Sequence, residues 1–215
     1  SDLVQVMLLQ GTPKEATMLL MIFVIVYATY AGGIEGIARC GEFLGPFILI
    51  MVRLVLIANI NMINWKNILP VYADSGISGI LGGSMAPASY LGHSVEYLMF
   101  ASFLTKPRKG APYVFGAILT AIFFVLMTTI MIILTLGVNL PSRMWYPSIE
   151  MTKKISLFGF IDNFDAIPVV IWIASVFVKL SVLLFLLCYG TAQFLNVRNW
   201  RNMIWFITPV IFVFA

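Results

Sequence analysis

Four ionisable side chains stand inside apolar runs of this 215-residue sequence: Arg53, His93, Glu96 and Lys179. A charge near the middle of a bilayer costs at least ~2.5–3.5 kcal/mol on insertion scales, so such residues face a bundle interior, a partner or a water-lined cavity. Arg53 lies about ten residues, ~15 Å, below the start of its run, and Lys179 about thirteen residues, ~20 Å, below the start of its own. His93 and Glu96 follow a stretch that is itself unusual. Gly76 to Gly110 reads GISGILGGSMAPASYLGHSVEYLMFASFLTKPRKG, apolar and long enough to cross a bilayer, yet interrupted by Gly79, Gly82, Gly83, Pro87 and Gly92. Pro87 removes a backbone donor and crowds the preceding turn, so the expected structure is a helix that breaks or kinks between Met85 and Tyr90. Backbone groups freed there need protein, water or a ligand, because lipid offers no hydrogen bonds. Broken membrane helices hold small polar molecules in this way. The alternative is a proline kink packed against a neighbouring helix through its glycines. His93 is open to two readings, a hydrogen-bonded interior histidine or a proton-coupling group.

The elements that position these groups are membrane helices. Hydrophobic residues make up 61% of the chain and charged ones 10%, far from the ~25% charge of soluble domains, and mean hydropathy is +1.00. The expected fold is all-α, a polytopic membrane helix bundle forming a single membrane domain over residues 1–215. Its spans fall at about 15–38, 43–63, 77–105, 113–138 and 166–195, with a truncated span from 203. The opening Ser1-Asp2 and the short final run Met203 to Ala215 read as a piece of a larger bundle. Thr12-Pro13 is a helix start, and Gly32, Gly33 and Gly36 form a small-residue face that admits a close neighbour. Glu35 and Arg39, four residues apart, can pair along one helix face. Cys40 to Glu42 is the expected short link between the first two spans. In the linker Asn139 to Asp165, the spacing of Ile149, Ile155, Phe158 and Ile161 permits a short amphipathic helix on the bundle.

Charge and cysteine content exclude several classes. The net charge of +4 is small and scattered, which argues against nucleic-acid binding and for membrane topology. Arg39, Lys106, Arg108, Lys109, Arg198 and Arg201 gather in compact links, and that side is expected to be cytoplasmic. Cys40 and Cys188 sit beside basic loops, which argues against a structural disulfide, and one histidine leaves no metal-ligand spacing. No nucleophile, base and metal-binding set is assembled, so no enzyme, metal or cofactor is expected.

Several phrases carry a resemblance to a known family. Thr12-Pro13 before a span, Gly33-Ile34-Glu35-Gly36-Ile37-Ala38-Arg39 with Glu42 after it, Leu69-Pro70 before the interrupted span and Ser89-Tyr90-Leu91-Gly92 within it resemble the spore germination permease-like proteins. These are the B subunits of bacterial nutrient germinant receptors, within the amino acid–polyamine–organocation transporter superfamily. The resemblance covers essentially the whole chain. It implies a fragment of a five-plus-five inverted-repeat transporter fold with a broken helix, in which the interrupted span is the sixth and the span holding Lys179 the eighth. It implies ligand contacts at Ser84, Ala86, Ser89, Tyr90, Leu91 and Gly92, with Trp172, Ser175 and Val176 facing them from the eighth helix. The implied ligand is a small amino acid or similar germinant, and the implied partners are the bilayer and the A and C receptor subunits. The implied location is the bacterial cell membrane, the spore inner membrane. The implied role is a nutrient sensor that signals to those subunits; the alternative is an amino acid permease working by alternating access, with Arg53, His93, Glu96 and Lys179 as intramembrane charges or coupling groups. Two positions depart from the family pattern: His93 stands where relatives often have an acid, and Asn163-Phe164-Asp165 where arginine and aspartate are commoner.

Overall fold

The computed structural model describes residues 13–68, 76–92, 96–104, 106–153 and 166–214. Among them the elements are helices: α1 (Lys14–Ala58), α2 (Gly76–Leu91), α3 (Glu96–Ala101), α4 (Pro107–Leu136), α5 (Pro147–Lys153), α6 (Ala166–Phe194) and α7 (Arg201–Phe214), with short 3-10 turns at Ile60–Met62, Trp65–Ile68 and Pro141–Arg143. Three helical stretches, Glu15–Met62, Lys109–Leu136 and Ile167–Phe194, are long and apolar enough to cross a membrane. Large apolar side chains such as Phe23, Phe43, Phe115, Trp205 and Phe206 are exposed. In water such a surface would aggregate; in lipid it is the ordinary outer face of a span.

The chain divides into two compact units. The first contains residues 1–55 and 156–215. Its core is Ile25 of α1, Leu184 and Cys188 of α6 and Ile204 of α7, with Val26, Phe177, Trp200, Met203 and Ile207 packed around it. Burial from lipid gains little hydrophobic free energy, so contact area and shape hold these helices together. Phe185 meets Trp200 edge to face, with ring centroids 5.0 Å apart. The α6–α7 link is a tight C-cap. Asn196 takes a left-handed conformation (φ 54), and the Val197 amide donates to the Ala192 carbonyl at 2.8 Å, the long bond of a Schellman motif. Asn199 Oδ1 then accepts from the Arg201 amide at 3.1 Å and starts α7.

α1 is two helical segments meeting at Gly33, whose φ of 54° and ψ of −155° are not helical. The expected link at Cys40 to Glu42 is helical, and the chain bends seven residues earlier instead. The reason is conformational: that φ/ψ pair is open to glycine and strained for any residue with a Cβ. The bend lets both segments meet α6. Ile25 packs with Leu184, Thr29 Oγ1 donates to the Ser181 carbonyl at 3.5 Å, and beyond the bend Gly41 approaches Val178. Glu35 and Arg39 form the expected ion pair at 2.6 Å, with both side chains exposed, which contributes roughly 0.3–0.5 kcal/mol.

The second unit, residues 56–155, is built on α4. Pro107 stands at its first position, where the missing amide proton costs nothing, so the helix begins six residues before the expected Tyr113. At its far end the Leu134 carbonyl accepts from the Asn64 amide at 3.1 Å and from Asn67 Nδ2 at 2.9 Å. Gly137, with φ 79, closes the helix by donating to the Ile133 carbonyl. The expected amphipathic helix is α5, which buries Ile149, Met151 and Thr152 against α4; Ile155, Phe158 and Ile161 lie outside the described residues, as does Thr12.

The bend generates a direct test. Gly33→Val is expected to destabilise the full-length protein by about 1–3 kcal/mol through backbone strain, lowering its melting temperature in detergent. Gly36→Ala, whose added methyl meets nothing within 4 Å, is expected to leave melting unchanged. Equal melting of both variants would mean that the bend is not held in this geometry.

Candidate functional site

The interrupted span is two helices. α2 is helical from Gly76 through Pro87 to Leu91, Gly92 is in 3-10 conformation, and α3 is described from Glu96, with residues 93–95 outside the described set. Of the break or kink expected between Met85 and Tyr90, the break is corrected: α2 is helical throughout that stretch, and the first departure among the described residues is the 3-10 step at Gly92. A helix tolerates proline in a membrane when the freed backbone group is satisfied elsewhere. Pro87 has no N–H, so the carbonyl four residues back, that of Gly83, loses its intrahelical donor. The flank of α2 that carries these glycines is open, because a Cβ added at Gly82, Gly83 or Gly92 would meet nothing within 4 Å. These glycines are thus not closely packed against another described helix. What Pro87 leaves in this segment is one carbonyl without its usual intrahelical donor.

Ser84, one residue beyond that carbonyl, is exposed, and its Oγ donates to the Leu81 carbonyl at 2.8 Å, leaving lone pairs free to accept. Ala86, Ser89, Tyr90 and Leu91 lie in the last turns of α2, and their side chains are outside the described set, as is His93. Glu96 is half-buried in the first turn of α3, where a carboxylate is favoured by the helix dipole.

Trp172, Ser175, Val176 and Lys179 recur at helical spacing along one face of α6. The first three are half-buried and Lys179 is exposed. Ser175 Oγ donates to the Ile171 carbonyl at 2.8 Å. These four belong to the first compact unit together with exposed Arg53, while Ser84, Gly92 and Glu96 belong to the second. Each set is coherent within its own unit. Among the described residues no three His, Cys, Asp or Glu side chains group in a way that could hold a metal ion. Cys40 is exposed and Cys188 buried, both as free thiols.

Two close contacts were not evident from sequence patterns. A Cβ at Gly110 would sit 2.6 Å from Tyr97 Oη and 2.9 Å from Leu104 Cδ1, so this glycine lets α3 lie against the first turn of α4. Arg201 forms the second, with its guanidinium carbon 5.7 Å from the Tyr30 ring centroid and 5.6 Å from that of Trp200. The signal for the first was a glycine following Lys-Pro-Arg-Lys, which reads as a turn and not as a packing position.

Long apolar helices, bent or interrupted where glycine and proline allow, define an all-α integral membrane helix bundle. The family model described as spore germination protein matches residues 1–215, and the chain belongs to that family. It is similar to spore germination protein YndE of Bacillus subtilis (strain 168), 24% identical over 217 residues, covering 100% of this chain and 59% of that protein. It is also similar to spore germination protein XB of Bacillus anthracis, 26% identical over 172 residues, covering 78% of this chain and 46% of that protein. The chain thus spans about half the length of these curated relatives. No solved structure matches it.

The packing at Gly110 can be checked by paired substitution. Gly110→Ala is expected to destabilise the protein by about 1 kcal/mol, the low end for overpacking, because Tyr97 Oη and Leu104 Cδ1 are side-chain ends that can shift, and adding Tyr97→Phe is expected to restore part of that loss by removing the nearest atom. Equal melting of the single and double variants would contradict the contact.

Proposed function

We propose that this chain is the membrane-embedded sensing part of a spore germinant receptor, binding a small nutrient of the amino acid class at α2–α3 and passing the change to A and C type partner subunits in the spore inner membrane. Membership of the spore germination family supports the setting. The observation that carries the site is the open flank of α2 at Gly82 and Gly83, on the helix where Pro87 leaves one carbonyl without its usual donor. An ammonium group brings three donors and no acceptor, so an amino acid can satisfy that carbonyl and the Ser84 hydroxyl together. Tyr90, Leu91 and Gly92 would bound the pocket. Signalling requires that the ligand bind one conformation better than the other; moving a 1:99 population to 99:1 needs a ratio of about 10⁴.

The second reading is a permease that carries the amino acid by alternating access. Lys179, an ionisable residue within a span-length helix, favours it, since intramembrane ionisable groups mark ion and proton pathways. The experiment uses the full-length protein with its partner subunits in liposomes and a labelled amino acid panel. Saturable binding without accumulation is expected, and concentrative uptake would replace the sensor by the permease. Gly83→Val is expected to weaken binding about 10–200-fold, the range for misfit methyl groups in a pocket, with melting unchanged. Gly116→Val, at an equally open position on α4, is expected to bind as the wild type. Full binding by Gly83→Val would remove α2 from the site.

A further inference from the structure

We infer that the first compact unit holds an anionic phospholipid, its phosphate at Arg201 and Arg198 and one acyl chain in the groove between α1, α6 and α7. This site is separate from the proposed nutrient site and does not rest on it. Arg201 is exposed at the start of α7, yet its guanidinium is kept between two rings, Tyr30 and Trp200, within the ~6 Å range of cation–π attraction. Trp205 supports Tyr30 edge to face at 6.4 Å. A planar guanidinium so oriented presents a fork of donors that matches phosphate oxygens.

Arg198 lies three residues away in the capped link and lines a polar cleft of about 370 Å³ with Gln193, Asn196 and Trp200. Gln193 Nε2 donates to Tyr189 Oη at 3.2 Å, leaving its carbonyl free. No carboxylate is among the residues lining that cleft. A choline or ethanolamine headgroup would set its own cation beside the arginines, whereas a glycerol-type headgroup adds only the phosphate charge and hydroxyls.

The groove supplies the second half of the argument. On α7, Thr208 and Ile211 follow Arg201 along one face, and on α1 Val26 and Ile22 precede Tyr30 along one face. Ile22, Val26, Thr208 and Ile211 line an apolar groove of about 320 Å³, completed by Leu180, Leu183 and Leu187 of α6. A free phosphate would leave that groove without an occupant, while a lipid fills it. Thr208 Oγ1 is buried there with no hydrogen-bond partner among the described residues. Thr208 stands seven residues, ~10 Å, along the axis from Arg201. The polar layer of a leaflet is about 5–8 Å thick. With Arg201 level with the phosphates, Thr208 therefore lies just inside the hydrocarbon, at the depth of the upper acyl chain.

The test is native mass spectrometry of the full-length protein, delipidated and then exposed to equimolar phosphatidylglycerol and phosphatidylcholine with identical acyl chains. Preferential retention of phosphatidylglycerol is expected, by about fivefold for each arginine engaged. That preference should vanish in the Arg198→Gln/Arg201→Gln variant and persist in Arg143→Gln, an exposed arginine of the other unit. Leu187→Trp, which fills the groove, is expected to reduce retention of the lipid. Millimolar inorganic phosphate and glycerol 3-phosphate are expected not to displace it. Equal retention of the two lipids, an unchanged preference without the two arginines, or displacement by either soluble phosphate would each overturn the assignment.

Discussion

Inside a bilayer a backbone amide or carbonyl has no water to fall back on, and the organisation of this chain follows from where that rule is met and where it is relaxed. Along most of α4 and α6 it is met without help, since each peptide group is bonded four residues along its own helix. Glycine and proline mark the exceptions. At Gly33 the helix gives up its geometry and gains a bend through which both segments of α1 reach α6. At Pro87 it keeps its geometry and gives up one bond. The second arrangement is the more consequential, because an unclaimed acceptor in apolar surroundings is an attraction for any molecule carrying donors.

Side-chain hydroxyls divide along the same line. Thr120, Thr128, Thr129 and Thr135 of α4 each donate to the carbonyl four residues back, at 2.8 Å in every case. Such bonds satisfy the hydroxyl within its own helix and ask nothing of a neighbour, which is why a threonine-bearing span can act as scaffold. Thr29 behaves differently, reaching across to the Ser181 carbonyl of α6. Thr208 has no protein partner among the described residues and opens on the groove. Thr29 thus ties α1 to α6, whereas these four threonines of α4 are satisfied within their own helix.

Much of the fold was legible because apolar length is so strong a signal. α6 begins at Ala166 and ends at Phe194, one residue from the expected 195, since Lys179 is the only charged residue in that run. The boundaries that shifted were set by backbone conformation, to which hydropathy is blind. Gly32 and Gly33 were visible as a small-residue face, but the same pair serves packing or bending, and only the φ/ψ values distinguish them. Pro87 was legible as a disturbance. The break that was one of its two expected outcomes is absent, because helical bonding on both sides carries the chain through to Leu91. The Tyr30, Trp200 and Arg201 cluster joins positions about 170 residues apart in sequence, a proximity no local pattern encodes.

The account turns on whether α2 and α3 present a polar opening that a small molecule closes. Amide hydrogen exchange on the full-length protein in nanodiscs, with and without its germinant, reads this directly. The expectation is that ligand slows exchange in the peptides covering residues 81–101, with α4 equally protected in both states. Peptides from 81–101 that exchange as slowly as those of α4 without ligand, and do not change on its addition, would contradict it.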